Sequence, residues 1–231
     1  MNFTICTIVA KNYLPAARVL GSSIKAHQPG ARFVTLVVDH TGPSDEDFEV
    51  LGLSDIGIDP DEALRMAALY DVMEFCTAVK PWLLRALLQT SDVVAYLDPD
   101  IKVYAPLDDI ADLAHEHGIV LTPHVTRPMP RDGLSKSETE VLLAGIYNLG
   151  FIAVSNEARD FLSFWMERLK RECISDPANM RFVDQRWVDF VPGIWDAFIL
   201  RDTTYNVAYW NLDHRVVTRK NDCYLVDGEP L

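Results

Sequence analysis

The apolar residues of this chain are distributed in two ways. Some form short unbroken runs, at residues 3–9, 33–38, 93–97 and 118–122. Others recur at three- and four-residue spacing, as Leu14, Ala17, Gly21 and Ile24 do, with Pro15 suited to a first helical turn. The unbroken β-branched runs predict strands buried on both faces, and the recurring spacing predicts helices with one packing face. Pro29-Gly30 marks the turn between the first helix and the second strand. Strand, helix and strand in that order begin a parallel sheet. Asp59-Pro60 supplies a cap and a first turn for a helix to about residue 70, and Lys80-Pro81 opens another over 80–88. Ser44-Asp45-Glu46 predicts a short helix, and residues 74–77 predict a break. Residues 108–115 read as a helix and 151–154 as a strand. Asn156 reads as the cap of a long helix whose Phe161, Leu162, Trp165 and Leu169 form a core stripe. Beyond residue 194 the aromatic pieces look strand-like. The pattern is that of an α/β protein with a mainly parallel sheet flanked by helices.

The run at 93–97 ends abruptly in Asp98-Pro99-Asp100. Side chains two apart in an extended chain share a face, so both carboxylates can reach one point at the carboxyl end of a central strand. Pro99 has no N–H, and regular pairing should end there. Ligands of open α/β sheets bind just past strand ends of this kind. Two hard oxygen ligands there suit Mg²⁺ or Mn²⁺, and such a cation suits a diphosphate. An Asp-x-Asp pair alone is weak evidence, because in an acidic chain most such pairs are turns or solvated surface. The buried strand in front of it singles this one out.

Composition narrows the functions open to such a fold. The chain has 231 residues, 49% of them hydrophobic, enough for one large domain with a sizeable core. Its formal charge of -13 argues against nucleic acid as a partner. A phosphorylated small ligand stays open, since a metal ion and one or two placed cations offset the field locally. Cys6, Cys76, Cys173 and Cys223 are scattered without a C-x-x-C pair, which reads as free thiols of a reduced, cytoplasmic compartment. No run approaches the roughly 18 apolar residues of a membrane span. Residues 2–10 read as a strand, not as a signal peptide.

Several polar residues stand at element ends. Ala10, Asn12 and Tyr13 follow the first strand. Asp39-His40 follow the second, either lining a crevice or capping a turn. Lys80 sits at a helix start, where a cation is disfavoured; it is either solvated or held toward a bound phosphate. Residues 126–138 are rich in Pro, Arg, Gly and Ser and read as a long loop of the kind that serves as a lid or binding segment. Arg127 and Arg131 in it are candidate phosphate or acceptor contacts. Asn148-Leu149-Gly150 precede a strand. Asp184-Gln185 precede a helical turn, where Asp often serves as a cap. Residues 224–226 predict a strand and Asp227-Gly228 a hairpin turn. The returning strand begins at Glu229-Pro230-Leu231, so the native chain is expected to continue past Leu231, with a further C-terminal domain.

In this order, Asn12-Tyr13, Lys80-Pro81, Tyr96-Leu97-Asp98-Pro99-Asp100, Asn148-Leu149-Gly150 and Asp184-Gln185 resemble a GT-A nucleotide-sugar glycosyltransferase. The resemblance is greatest to the retaining galactosyltransferase and glycogenin-like group and spans nearly the whole chain. It implies one Rossmann-like GT-A domain over residues 1–231, truncated at its C-terminus. It implies that Ala10, Asn12 and Tyr13 hold the nucleotide base, and that Lys80 and Asn148 contact the donor. Asp98 and Asp100 would bind Mn²⁺ or Mg²⁺ bridging the diphosphate of a donor such as a UDP-sugar, with Asp98 also near the ribose. Asp184 and Gln185 would act on the transferred sugar with retention. The acceptor would be a glycan, a lipid-linked sugar or a protein. The family's third metal ligand, a His shortly followed by Gly, has no match after Arg215. The matching motif lies beyond Leu231, or His124 or His214 takes its place, or the metal site is incomplete.

Three rival readings differ in sequence. An aspartyl-phosphate phosphatase has Thr or Val two residues past the second Asp, where this chain has Lys102. A nucleotidyltransferase carries a Gly-rich basic loop after the first strand, where this chain has Ala10-Lys11-Asn12-Tyr13. A non-catalytic module keeping the fold would bind a carbohydrate or partner domain.

Overall fold

Each apolar run forms the strand its pattern predicts, and the order of the strands places the Asp pair at the sheet's centre. The computed structural model describes residues 1–133, 137–221 and 223–231; residues 134–136 of the predicted loop lie outside the described residues. The main sheet contains β1 (Phe3–Val9), β2 (Arg32–Val37), β3 (Glu49–Leu51), β4 (Val93–Leu97), β5 (Ile119–Pro123), β6 (Tyr147–Ser155) and a short strand, Phe198–Ile199. Their spatial order is β3-β2-β1-β4-β6-β5 and then Phe198–Ile199. Neighbours are parallel except along β6, which runs against both β4 and β5.

Alternation along the strands builds two cores, one on each face. Val94 and Tyr96 of β4 join Cys6 and Ile8 of β1 on one face. The helices α2 (Pro60–Leu69), α3 (Val72–Ala78), α4 (Lys80–Leu87) and α7 (Arg159–Leu169) pack on this face. Val93, Ala95 and Leu97 join Ile5 on the other face, beneath α1 (Leu14–His27) and α5 (Asp108–His117). The predicted stripe Phe161, Leu162, Trp165 and Leu169 is fully buried on α7. Burial of each such side chain contributes about 1.5–3 kcal/mol. Two shorter helices, α6 (Glu138–Ala144) and α8 (Gln185–Val188), flank the amino end of β4's antiparallel neighbour β6, which lies beside the carboxyl end of β4.

Four local expectations are corrected. Ser44-Asp45-Glu46 do not start a helix, because the Glu46 carboxylate is bound by Arg18 of α1 at 2.7 and 2.9 Å and Phe48 packs on Phe33, drawing the chain into the edge strand β3. Residues 74–77 are not a break: Asp71 and Glu74 form a reciprocal capping box that starts α3. The cap before α7 is Ser155, not Asn156, and a 3₁₀ turn intervenes. The aromatic pieces past residue 194 yield only the strand Phe198–Ile199, while Tyr209–His214 is a 3₁₀ helix.

The predicted C-terminal hairpin is present. Strands Val217–Lys220, Cys223–Val226 and Glu229–Pro230 form a small antiparallel sheet. Its last turn has left-handed backbone at Asp227 and Gly228, with φ of 53° and 94°. Tyr224 packs edge-on against Tyr104, which ties this sheet to the segment after Asp100. The four cysteines are free thiols. Among the described residues no helix is long and apolar enough to cross a membrane.

Candidate active site

β4 loses its partners at the Asp pair. Its ladder to β1 ends at Tyr96, its ladder to β6 at Leu97, and the Asp98 N–H makes a last bond to Gly150 O at 2.8 Å. Asp98 falls on the same face as Tyr96, whose hydroxyl donates to Asp98 Oδ1 at 2.7 Å. Burial pushes the Asp98 carboxyl above the usual carboxylate range; Lys80 and the Tyr96 hydroxyl oppose that shift, and Asp100 adds to it. Asp98 is half-buried and Asp100 exposed.

Behind Tyr96 lies a buried ion pair. Lys80 Nζ is 2.6 Å from Asp184 Oδ2, donates to Leu149 O at 2.8 Å, and sits 4.3 Å from the centroid of the Tyr96 ring. The three contacts match an ammonium's three donor directions. Lys80 and Asp184 are each only 2% exposed. Burial pushes the Asp184 carboxyl upward, and the lysine pulls it back. Asp184 occupies the cap position of α8, yet its side chain makes no capping bond. The preceding Val183 has φ of 41°, a conformation rare for a β-branched residue and costing about 1–3 kcal/mol.

These polar groups hold an irregular stretch of β6. Leu121 of β5 faces Ile152 and Pro123 faces Tyr147, so between those pairs β6 carries four residues, 148–151, against Thr122 alone. Such a bulge removes backbone groups from the ladder, and each needs another partner. Leu149 N–H donates to Gln185 Oε1 at 3.3 Å, and Leu149 O accepts from Lys80. Gly150 N–H donates to Asn148 Oδ1 at 2.7 Å, and Gly150 O accepts from Asp98. Gln185 is anchored in turn by donation to Ala144 O at 2.9 Å. Lys80, Asn148 and Gln185 therefore all support the bulge that brings β6 up to Asp98.

A cavity of about 690 Å³ opens beside the Asp pair, within the size range of small-molecule sites. Asp98, Asp100, Asn148 and Gly150 form one wall. Residues 101–107, Thr122 and residues 204–210 form others. Lys80, Asp184 and Gln185 stand behind the walls, not in them. Ala10, Asn12 and Tyr13 also lie outside them, in and around a 3₁₀ turn at the end of β1. Asp39 closes that turn by accepting from Lys11 N–H at 2.8 Å. Arg127 and Arg131 are exposed and away from the cavity lining.

Gly150 is fixed by crowding. A Cβ there would lie 2.7 Å from Asn148 Oδ1 and 3.1 Å from Asp98 Oδ2. Gly150→Ala is therefore expected to displace both side chains and to lower the melting temperature, by an amount that overpacking puts at about 1–3 kcal/mol. Thermal unfolding of the variant measures it, and an unchanged melting temperature would show that the bulge is loose.

Two carboxylates and a cavity suit a hard divalent cation, which keeps waters and substrate phosphate oxygens in its remaining positions. Tyr96 occupies one Asp98 oxygen and leaves the other. Among the described residues no third His, Cys, Asp or Glu joins the pair. His124 contacts Ile146 O, and His214 contacts Asp213. Sequence reasoning missed Tyr96 and Thr122 and the walls at 204–210; Tyr96 alone carried a signal, its two-residue spacing from Asp98.

No protein-family model matches the chain. The uncharacterized protein YfnF of Bacillus subtilis (strain 168) is 26% identical over 250 residues, covering 100% of this chain and 80% of that protein. Solved structures share the architecture at low identity. An active-site mutant of LgtC aligns with a TM-score of 0.54 and 15% identity, over 89% of this chain and 79% of that one. Mouse xyloside xylosyltransferase 1 in its apo form gives 0.52 and 12%, over 92% and 89%. A glycosyltransferase involved in glycosylation of the major capsid of PBCV-1 gives 0.51 and 13%, over 88% and 83%. The six parallel strands, the single reversed β6 and the flanking helices are the GT-A glycosyltransferase fold.

Proposed function

We propose that the protein is a metal-dependent glycosyltransferase of the retaining galactosyltransferase and glycogenin-like type. It moves a sugar from a nucleoside diphosphate donor, a UDP-sugar, to a glycan, lipid-linked sugar or protein acceptor in a reduced, cytoplasmic compartment. The observation that carries the reading is the placement of Asp98 and Asp100 together at the end of the central strand, on the wall of a cavity large enough for a nucleotide-sugar. A divalent cation held there, Mn²⁺ or Mg²⁺, would offset the negative charge left on the diphosphate as the sugar departs.

The chain's own residues divide the remaining work. Tyr96 orients the Asp98 carboxylate. Asn148, on the cavity wall, faces the donor. Ala10, Asn12 and Tyr13, at the end of the neighbouring strand β1, take the base. Asp184 and Gln185 bear on the sugar from behind β6, through the bulge that they and Lys80 hold in shape. The internal engagement of Lys80, Asp184 and Gln185 favours one other reading, a non-catalytic module that binds carbohydrate or a partner domain.

Calorimetry with UDP and UDP-sugars tests the proposal. Saturable binding is expected with Mn²⁺ and should vanish in EDTA. Binding that ignores the chelator, or its absence across a panel of nucleotides, would remove the metal-dependent transferase reading. Binding without any sugar transfer or donor hydrolysis would leave the module.

A further inference from the structure

Residues 204–210 form one wall of the cavity, yet residues 201–208 belong to no helix or strand. A segment without a ladder needs other partners for its backbone groups. Two polar atoms at this wall supply none, since Thr122 Oγ1 on β5 and Trp210 Nε1 are buried without a hydrogen bond. The ties come from three other side chains. Asn206 has left-handed backbone, φ 54°, which asparagine tolerates, and its Nδ2 donates to Pro123 O at 3.1 Å. Arg215 Nη1 donates to Tyr205 O at 2.7 Å. Asn211 makes three ties. Its Nδ2 donates to Asn206 O at 2.9 Å and to His124 O at 3.3 Å, and its Oδ1 accepts from the Ala208 N–H at 3.0 Å. The Asn211 N–H donates back to Ala208 O at 3.0 Å, at the start of the 3₁₀ helix Tyr209–His214.

Asn211 is 0% exposed and does not line the cavity, whereas Asn206 and Ala208 do. One planar amide, with its donors and acceptor in fixed directions, thus joins the wall at two points to the end of β5 at a third. An aspartate of the same shape would keep the acceptor and lose the donors. A leucine would lose both.

We infer that Asn211 is a positioning residue of the site. Without touching a ligand, its amide fixes where the 204–210 wall stands relative to β5, and so which group joined to the nucleotide the cavity admits. The selectivity rests on the glycosyltransferase reading; the placing of the wall does not. Selectivity is thereby assigned to a residue outside the cavity.

The test compares Asn211→Asp, which turns an oxygen toward two carbonyl oxygens, with Asn211→Ser, which keeps one short hydroxyl. Leu212→Ala, at the exposed neighbouring position, is the control. The first measurement needs no ligand. The five tryptophans give indole N–H resonances in a proton–nitrogen spectrum, and Trp210→Phe identifies the one in the wall. In both Asn211 variants the Trp210 resonance is expected to shift and to exchange with solvent at least about tenfold faster, as its buried N–H becomes open to water. The resonances of Trp82, Trp165, Trp187 and Trp195 should stay in place. The second measurement is calorimetry with Mn²⁺. UDP affinity is expected to stay within about twofold of the parent's, while the affinity ratio between UDP-glucose and UDP-N-acetylglucosamine changes at least about threefold. Leu212→Ala should change neither readout. An unmoved Trp210 resonance, disturbance of all five tryptophans together, or failure of both Asn211 variants to fold would overturn the positioning role. So would an unchanged affinity ratio, or a loss of UDP affinity as large as that of the UDP-sugars. No UDP binding by the parent would overturn the transferase reading and the selectivity with it, and the ligand-free spectra would then still decide whether Asn211 places the wall.

Discussion

Asp184→Leu should destabilise the folded chain by about 3–5 kcal/mol, the cost of leaving one member of a buried ion pair without its partner. For a chain of this size that corresponds to a fall of roughly 6–20 °C in melting temperature. The stranded group is the Lys80 ammonium, 2% exposed, with only Leu149 O and the Tyr96 ring left to meet it. The double variant Lys80→Met, Asp184→Leu removes both charges and should recover most of the loss, because apolar replacements of a buried pair are often neutral or better. Thermal and urea unfolding of the two single variants and the double variant give the coupling directly. Equal, additive losses would mean that the pair contributes as two separate side chains. Recovery in the double variant would also show that the pair serves specificity of structure at the bulge more than net stability.

Asp98→Asn should do the reverse, leaving the fold intact and abolishing metal-dependent nucleotide binding. The amide keeps the shape and can still accept from the Tyr96 hydroxyl, now 2.7 Å from Oδ1. Burial already disfavours the ionised carboxyl at this position, so the neutral side chain should cost no stability. Loss of a charged ligand group in a desolvated site is worth about 2–5 kcal/mol, roughly 30- to 5000-fold in affinity. Calorimetry of UDP with Mn²⁺ on parent and variant measures it, with thermal unfolding as the control. Equal affinities would remove Asp98 from the ligand set. Asp98→Asn as damaging to folding as Asp184→Leu would make Asp98 a structural residue instead.

The parts of this protein that can be read along the sequence are those set by local spacing. The unbroken runs at β1, β2 and β4, the N-cap at Asp59 and the Asp98-Pro99-Asp100 terminus each follow from a few adjacent residues. The expectations at residues 74–77 and Asn156 failed on local caps, Asp71 with Glu74 and Ser155, and others failed where a distant contact decided. Glu46 answers to Arg18, across 28 residues, and the predicted helix there gives way to an edge strand. Lys80 reaches Leu149 and Asp184 across 69 and 104 residues, so neither of its sequence readings, solvated or facing phosphate, describes its buried pairing. Val183 takes a left-handed backbone that its β-branched side chain argues against, which hides the departure of Asp184 from a simple cap. Thr122 gave no signal, because an unpaired hydroxyl is a property of its surroundings.

The slack in β6 has a consequence for how this pocket can change over generations. Residues 148–150 are tethered by Lys80 and Gln185 from other parts of the chain and by Asn148 within the stretch, so the pairing of residues 151–155 with β4 does not depend on their spacing. A replacement there, other than at the crowded Gly150, can reshape what the floor of the pocket recognises while the sheet's alignment stays put. A deletion in β4 would slide every alternate side chain to the wrong layer. New substrate preferences are therefore easiest to acquire in the strand that runs backwards.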